Sequence, residues 1–336
     1  MILGEPKLIK DFIGQDNIKI NLKSLVEWAK RNNTVLDHTI LLGPPGHGKT
    51  TLSEIIAHET ESKLIKSFGG GIKESNIQSL LDIFFYSKDK LVVFIDEIHA
   101  VKPKFLEYLY LPMERFEYNG KALNKFCLIG ATTDFGLLPK PFRDRFRNKL
   151  EFNNYSHQDI VTILHNRGCN DLIAEYISKR SRYTPRLAID LFRRILVEWD
   201  NESEIHPVSL DRKMCDRVFT ILNIDRFGLN EKDREIINYL YSVNAYETCA
   251  RPIPCGLDAL STALNMSKSD YISLYEPYLL QQNLIIRTPR GRVASKIALF
   301  SILRIDEKFN EEPEERQDII MEILKKRKVY DPLGEE

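Results

Sequence analysis

The chain lacks any long hydrophobic run. Its longest aliphatic and aromatic stretches, such as residues 91–95, fall far short of the ~20 residues that cross a bilayer. It also lacks a charge bias, with Lys plus Arg at 48, Asp plus Glu at 48 and a formal net charge of zero. A surface uniformly basic for gripping nucleic acid is thereby excluded, although a local basic patch is not. Cysteine is scarce: five residues, at 127, 169, 215, 249 and 255, form no CxxC pair. That scatter excludes a disulfide framework and fits reduced thiols. Residues 1–12 carry Glu5, Lys7, Lys10 and Asp11 with no apolar core between them, so no signal peptide is expected and the expected location is cytoplasmic. No internal repeat is found. What the chain does have is 43% apolar and 29% charged residues over 336 positions, enough for two or three domains with cores of their own.

Ile18, Leu22, Leu25, Val26 and Ala29 recur at helical spacing and predict a helix over residues 16–31. A strand at 39–42 leads through a glycine-rich turn into a helix at 49–59. A strand near 64–66 follows, then a helix near 75–86 opening on a Ser75 cap. Residues 91–95 form a continuous β-branched apolar run, the pattern of a strand buried on both faces, and residues 126–131 repeat it. Residues 149–152 make a shorter strand. Strands alternating with helices over the first 150 residues predict a parallel α/β sheet. Residues 156–222 then read as helical, with Ser156 and Thr184 as start signals. From residue 227, three helical patterns precede two short strands around a basic tip, Arg287-Thr-Pro-Arg-Gly-Arg292, which suggests a winged helix-turn-helix. Residues 306–336 are highly charged and read as a frayed helix.

Gly43-Pro-Pro-Gly-His-Gly-Lys49-Thr50 matches the GxxxxGK[ST] phosphate loop. Glycines let successive backbone N–H groups turn inward around phosphate oxygens. Lys49 supplies a point charge, Thr50 a hydroxyl ligand for Mg²⁺, and the following helix its positive end. Asp96-Glu97 closes the buried 91–95 strand, where an aspartate would hold the Mg²⁺ shell and a glutamate would activate the attacking water. Those features predict a nucleotide hydrolase or switch. Thr132-Thr133, Arg143-Asp-Arg145 and Thr184-Pro185-Arg186 are weaker signals. Taken singly they read as a turn cap, surface ion pairs and a helix cap.

Taken together, the motifs carry a resemblance. Phe12-Ile-Gly-Gln15, the phosphate loop through Thr51, Phe94-Ile-Asp-Glu-Ile-His99, Gly130-Ala-Thr-Thr133, Phe142-Arg-Asp-Arg-Phe146 and Thr184-Pro-Arg186 occur in one order. With Tyr275-Glu-Pro-Tyr-Leu-Leu-Gln-Gln282 and Arg287-Thr-Pro-Arg-Gly-Arg292, the sequence resembles the RuvB family of AAA+ Holliday-junction branch-migration ATPases over about residues 6–300. The resemblance implies an α/β AAA+ sheet domain (1–152), a helical lid domain (153–225), a winged-helix DNA-binding domain (226–300) and a charged tail (301–336). It implies a homo-hexameric ring that hydrolyses ATP with Mg²⁺ and moves duplex DNA through a four-way junction in recombination and repair. An AAA+ initiator or loader using ATP as a switch on DNA is the alternative.

By matching positions, Glu97 is the implied catalytic glutamate, Thr133 the first sensor, Arg186 the second sensor and Arg145 the finger offered to a neighbour's ATP. Ile13, Gly46, Gly48, Lys49, Thr50, Thr51, Asp96 and Pro185 would bind nucleotide, with Thr50 and Asp96 on the metal. Arg287, Arg290, Arg292 and Lys296 would touch DNA phosphates. Three departures stand out. Glu5-Pro6 replaces the family's Arg-Pro, and Asn153 stands where a tyrosine near the adenine is expected. Only residues 115–128 separate Glu114 from Ile129, where the family inserts a long hairpin that docks on its junction-binding partner RuvA. Residues 116–123 predict a very short hairpin turning on Asn119-Gly120, so a docking hairpin is expected to be missing.

Overall fold

The computed structural model describes residues 5–203, 210–244, 252–295 and 298. Two compact units divide the chain, residues 1–215 and 216–336.

The first unit begins with helix α1 (Asp16–Arg31), strand β1 (Thr39–Leu42), α2 (Lys49–Glu59), β2 (Lys63–Phe68), α3 (Glu74–Tyr86), β3 (Leu91–Asp96) and α4 (Pro103–Arg115). A two-stranded stub, β4 (Glu117–Tyr118) and β5 (Lys121–Ala122), precedes β6 (Phe126–Thr132), α5 (Lys140–Arg143) and β7 (Asn148–Glu151). Five strands make one parallel sheet in the order β2-β3-β6-β1-β7. The period of two along each strand sorts side chains between two cores. Leu91, Val93 and Ile95 join Phe126 and Leu128 on one face, while Val92 and Phe94 join Cys127 and Ile129 on the other. A sheet covered on both faces needs unbroken apolar strands, which is why β3 and β6 carry no alternation. The predicted Ser75 cap is corrected: α3 starts at Glu74, and the Asn76 side chain accepts the Lys73 backbone N–H at 2.9 Å.

Helices α6 (His157–His165), α7 (Asp171–Ser178), α8 (Pro185–Ser203) and α9 (Arg212–Ile221) follow. Ser156 caps α6 through a reciprocal pair with Asp159, as the sequence predicted. The β4–β5 stub turns on Asn119 (φ 49°) and Gly120 (φ 72°), the two left-handed positions of a type I′ turn. Its apolar side chains face inward. Leu123 belongs to the sheet core, and Phe116 and Tyr118 pack against that core.

The second unit holds α10 (Glu231–Val243), α11 (Leu257–Ala263), α12 (Lys268–Asp270), α13 (Glu276–Gln281) and an antiparallel pair, β8 (Ile285–Thr288) and β9 (Gly291–Ala294). A π-type turn, Tyr271–Tyr275, joins α12 to α13. Leu229, Ile236, Leu240, Leu260, Tyr271, Leu279 and Ile285 form its core. The expected wing is present, and among the described residues α10, α11 and the run from α12 through the π-type turn to α13 stand where the sequence predicts three helical patterns. Lys296, Cys249 and the charged tail lie outside the described residues. The other four cysteines are buried thiols.

Candidate nucleotide site and wing

The phosphate loop follows β1 and ends at Gly48, whose left-handed backbone (φ 95°) opens α2. Lys49 is buried, and its Nζ donates to the carbonyls of Gly43 at 2.7 Å and Pro44 at 2.9 Å. Burial pushes its pKa below the usual lysine value, against the pull of the Glu97 and Asp96 carboxylates. The lid's Thr184-Pro-Arg186 turn packs directly on this loop. The Arg186 N–H donates to Gly46 O at 3.4 Å, and a Cβ on Gly46 would stand 2.9 Å from Thr184 Cγ2. Only glycine at 46, with φ 78°, lets the lid approach this closely.

One cavity of about 440 Å³ gathers Gly46, Gly48, Lys49, Thr50, Thr51, Asp96, Glu97, Pro185 and Arg186. Nine predicted site residues, scattered over 140 positions of sequence, thus line a single concavity. Arg167, at the end of α6, and Arg193, on α8, line it too. Neither carried a sequence signal, since isolated arginines on lid helices look like solvated surface. The donor set suits a polyphosphate: a backbone cradle, one buried ammonium, three lid guanidiniums, and a hydroxyl beside a carboxylate for a divalent ion.

An adjoining cavity of about 570 Å³ is lined by Pro6, Phe12, Ile13, Tyr155, Ile163 and Ile189 among others, an apolar slot suited to a flat base. Asn153 does not line it. Its backbone is clamped at the end of β7 by the Gln15 side chain, with bonds of 2.6 and 2.9 Å. Tyr155, two residues on, does line the cavity, and its hydroxyl donates to His47 O at 3.0 Å. Burial raises the Tyr155 pKa, so the hydroxyl stays a neutral donor. Glu5 and Arg167 line both cavities.

Thr133 and Arg145 do not line the phosphate cavity. Thr133 is exposed beyond the end of β6. The buried neighbour Thr132 bonds instead to His99 Nδ1 through Oγ1, at 2.7 Å. Arg145 is satisfied within its own subunit. Its Nε donates to Tyr110 O at 2.9 Å, Nη1 to Pro141 O and Nη2 to the Glu114 carboxylate at 2.8 Å. The guanidinium also stacks over the Tyr110 ring, 4.6 Å from its centroid.

On the wing, Arg287 and Arg290 are exposed. Arg292 is not, and its assignment to DNA contact is corrected. It is 7% exposed and pairs with buried Glu276 through two bonds, at 2.7 and 3.2 Å. Position 292 is buried with the rest of β9, where Glu276 of α13 meets its guanidinium.

A parallel sheet in this order, carrying a phosphate loop, an Asp-Glu strand end and a helical lid whose arginine reaches the loop, defines an AAA+ ATPase. Residues 5–152 match the family profile "Holliday junction DNA helicase RuvB P-loop domain", and residues 226–302 match "RuvB C-terminal winged helix domain". The chain is 37% identical over 315 residues to the "Holliday junction branch migration complex subunit RuvB" of Thermotoga petrophila, covering 87% of this chain and 90% of the relative. It is 35% identical over 320 residues to the protein of that name from Rickettsia africae, covering 89% and 90%. The solved Thermotoga maritima RuvB branch-migration motor superposes with a TM-score of 0.77 at 35% identity, covering 90% of this chain and 98% of that one. The chain belongs to the RuvB family.

Proposed function

We propose that this protein is an ATP-driven DNA motor that drives branch migration of four-way junctions as a homo-hexameric ring. The observation that carries this reading is the convergence of Lys49, Thr50, Asp96, Glu97 and Arg186 on one cavity. In it, the loop amides and Lys49 would hold the phosphates, and Thr50 and Asp96 would hold Mg²⁺, which would supply charge to neutralise the β- and γ-phosphate oxygens. Glu97 orients and deprotonates the water. Arg186, with Arg167 and Arg193, brings lid charge onto the phosphates, so lid position follows nucleotide state. Arg145 serves a neighbour's site, where an extra cation stabilises charge on the transferring phosphoryl group and makes turnover depend on assembly.

In this reading the sheet domain spans residues 1–152, the lid 153–225 and the winged helix 226–300. Arg287 and Arg290 touch DNA phosphates and carry little sequence information. The exposed tip of the β4–β5 stub is Asn119, Gly120, Lys121 and Ala122. It offers no apolar bulk to another protein, which supports loading on junctions without a standard RuvA or through a different adaptor.

The test is branch migration of a synthetic four-way junction by the protein alone, with multi-turnover ATP hydrolysis stimulated by that junction. Lys49→Ala should abolish productive ATP binding. Glu97→Gln should bind ATP and turn over very slowly. Near-normal turnover by Glu97→Gln would remove the assigned base, and junction-independent single turnover would favour a loading switch.

A further inference from the structure

The Glu97 backbone is fixed from two sides. It sits in the left-handed region (φ 47°), and its N–H donates to Asp96 Oδ1 at 3.1 Å. Gly69, at the end of β2, presses so close that a Cβ there would stand 2.2 Å from the Glu97 carbonyl oxygen. The freedom left to Glu97 is therefore in its side chain. Oε2 of that side chain is buried, makes no hydrogen bond among the described residues, and lies 3.2 Å from Nδ1 of His99.

The same Nδ1 lies 2.7 Å from Thr132 Oγ1. Thr132 is fully buried at the end of β6, and its Oγ1 also accepts the Asp134 backbone N–H at 3.0 Å. A lone pair on Nδ1 would face the carboxylate at short range and repel it. The arrangement is favourable when Nδ1 carries the proton and shares it between the Glu97 and Thr132 oxygens. His99 thus stands between the proposed water-activating group and the strand end that carries Thr132, Thr133 and Asp134.

We propose that His99 is a positioning residue that ties the Glu97 carboxylate to the end of β6, so that a shift of this strand end re-aims the base. His99 need not touch ATP or water to do this. It acts by holding one oxygen of the carboxylate and leaving the other for the water. The inference rests on the reading of Glu97 as the water-activating group.

The test uses steady-state ATP hydrolysis by the full-length assembly, with nucleotide affinity measured separately. His99→Ala should lower kcat at least about tenfold, a barrier increase of about 1.4 kcal/mol, with KM and nucleotide affinity unchanged. His99→Asn, whose Nδ2 can stand near the Nδ1 position, should restore kcat to within about threefold of the parent, an energetic difference of about 0.7 kcal/mol. His99→Gln, whose amide reaches the Nε2 position instead, should not. Thr132→Val should lower kcat as well, and the His99→Ala/Thr132→Val pair should be no slower than the slower single variant, because both cut one link. Unchanged kcat in His99→Ala overturns the proposal, as do equal rates for the Asn and Gln variants or multiplicative losses in the pair. Should His99→Ala fail to fold, the comparison of Asn with Gln decides alone. Glu97→Gln serves as the reference: if it hydrolyses ATP normally, the underlying reading has failed, whereas an inactive Glu97→Gln beside a fully active His99→Ala refutes only the role of His99.

Discussion

Arg292 and Glu276 form a two-point ion pair inside the second unit, with Nε 2.7 Å from Oε1 and Nη2 3.2 Å from Oε2. Both residues are buried, and Glu276 follows the π-type turn at the start of α13. The hydrogen bond to Glu276 raises the Arg292 pKa further above the ordinary arginine value. The family-resemblance motif that carries Glu276-Pro-Tyr and the basic wing tip that carries Arg290-Gly-Arg292 are in part the two halves of a brace.

Removing one partner leaves a buried charge unpaired. Arg292→Ala is expected to lower the stability of the second unit by about 3–5 kcal/mol, read as a shift in the denaturant midpoint. Arg287→Ala and Arg290→Ala should melt normally and weaken DNA binding about equally across sequences. Each should also reduce the salt slope by about one, the effect of leaving one phosphate without its cation. An Arg292→Ala protein that melts normally but binds DNA poorly would restore the discarded assignment.

Arg145 is bound in its own subunit, yet its ionic partner Glu114 is half in water, with the Glu114 side chain 52% exposed. Such a pair is worth less than about 1 kcal/mol, so the cost of moving the guanidinium to a neighbour's phosphate lies mainly in its bonds to Tyr110 O and Pro141 O and its stacking on Tyr110. Arg145→Ala subunits should bind nucleotide and fail to hydrolyse it. Mixing them with Lys49→Ala subunits should recover part of the turnover, since an intact site and an intact finger then meet across one interface. No recovery in verified mixed assemblies would count against a finger acting in trans.

His38 predicts a pH dependence of stability. Its ring accepts the Leu128 N–H at Nδ1 (2.9 Å) and meets Met113 O at Nε2 (3.0 Å), and burial pushes its pKa down to about 4 from 6.5. Because the folded value is the lower one, the stability it contributes is complete above pH 6.5 and is lost as pH falls toward 4. The loss at the acid end is about 3 kcal/mol. His38→Gln should flatten this part of the stability curve relative to the parent. Parallel curves for the two proteins would show that the ring is not the titrating group.

The hairpin stub makes a prediction about partners. Leu123→Ala should cost about 2–5 kcal/mol in stability, as expected for a core position. Calorimetry with a standard RuvA should show no micromolar binding. Micromolar binding that disappears on Ala122→Asp, at the exposed tip, would show that the stub docks after all.

Much of the architecture was legible in the chain itself, because it depends on local pattern. The buried runs at 91–95 and 126–131, the Ser156 cap, the Asn119-Gly120 turn and the phosphate loop each follow from neighbouring residues and the backbone geometry they favour. Lys49, Asp96 and Glu97 could be picked out as candidates in the same way, since their spacing is set by one loop and one strand. Which side a residue faces, and what it meets there, depends on groups far away in sequence. Arg292 and Arg290 look alike in the sequence, but Arg292 lies on β9, buried against Glu276 of α13, whereas Arg290 lies in the turn before it, in water. Tyr155 rather than Asn153 lines the apolar cavity, and Gln15, well over a hundred residues earlier, clamps the Asn153 backbone. The bridge from Glu97 through His99 to Thr132 exists only because β3 and β6 are neighbours in the sheet. Local sequence determined the elements and the reactive groups, and tertiary packing decided which charges are free, which are braced and which are aimed.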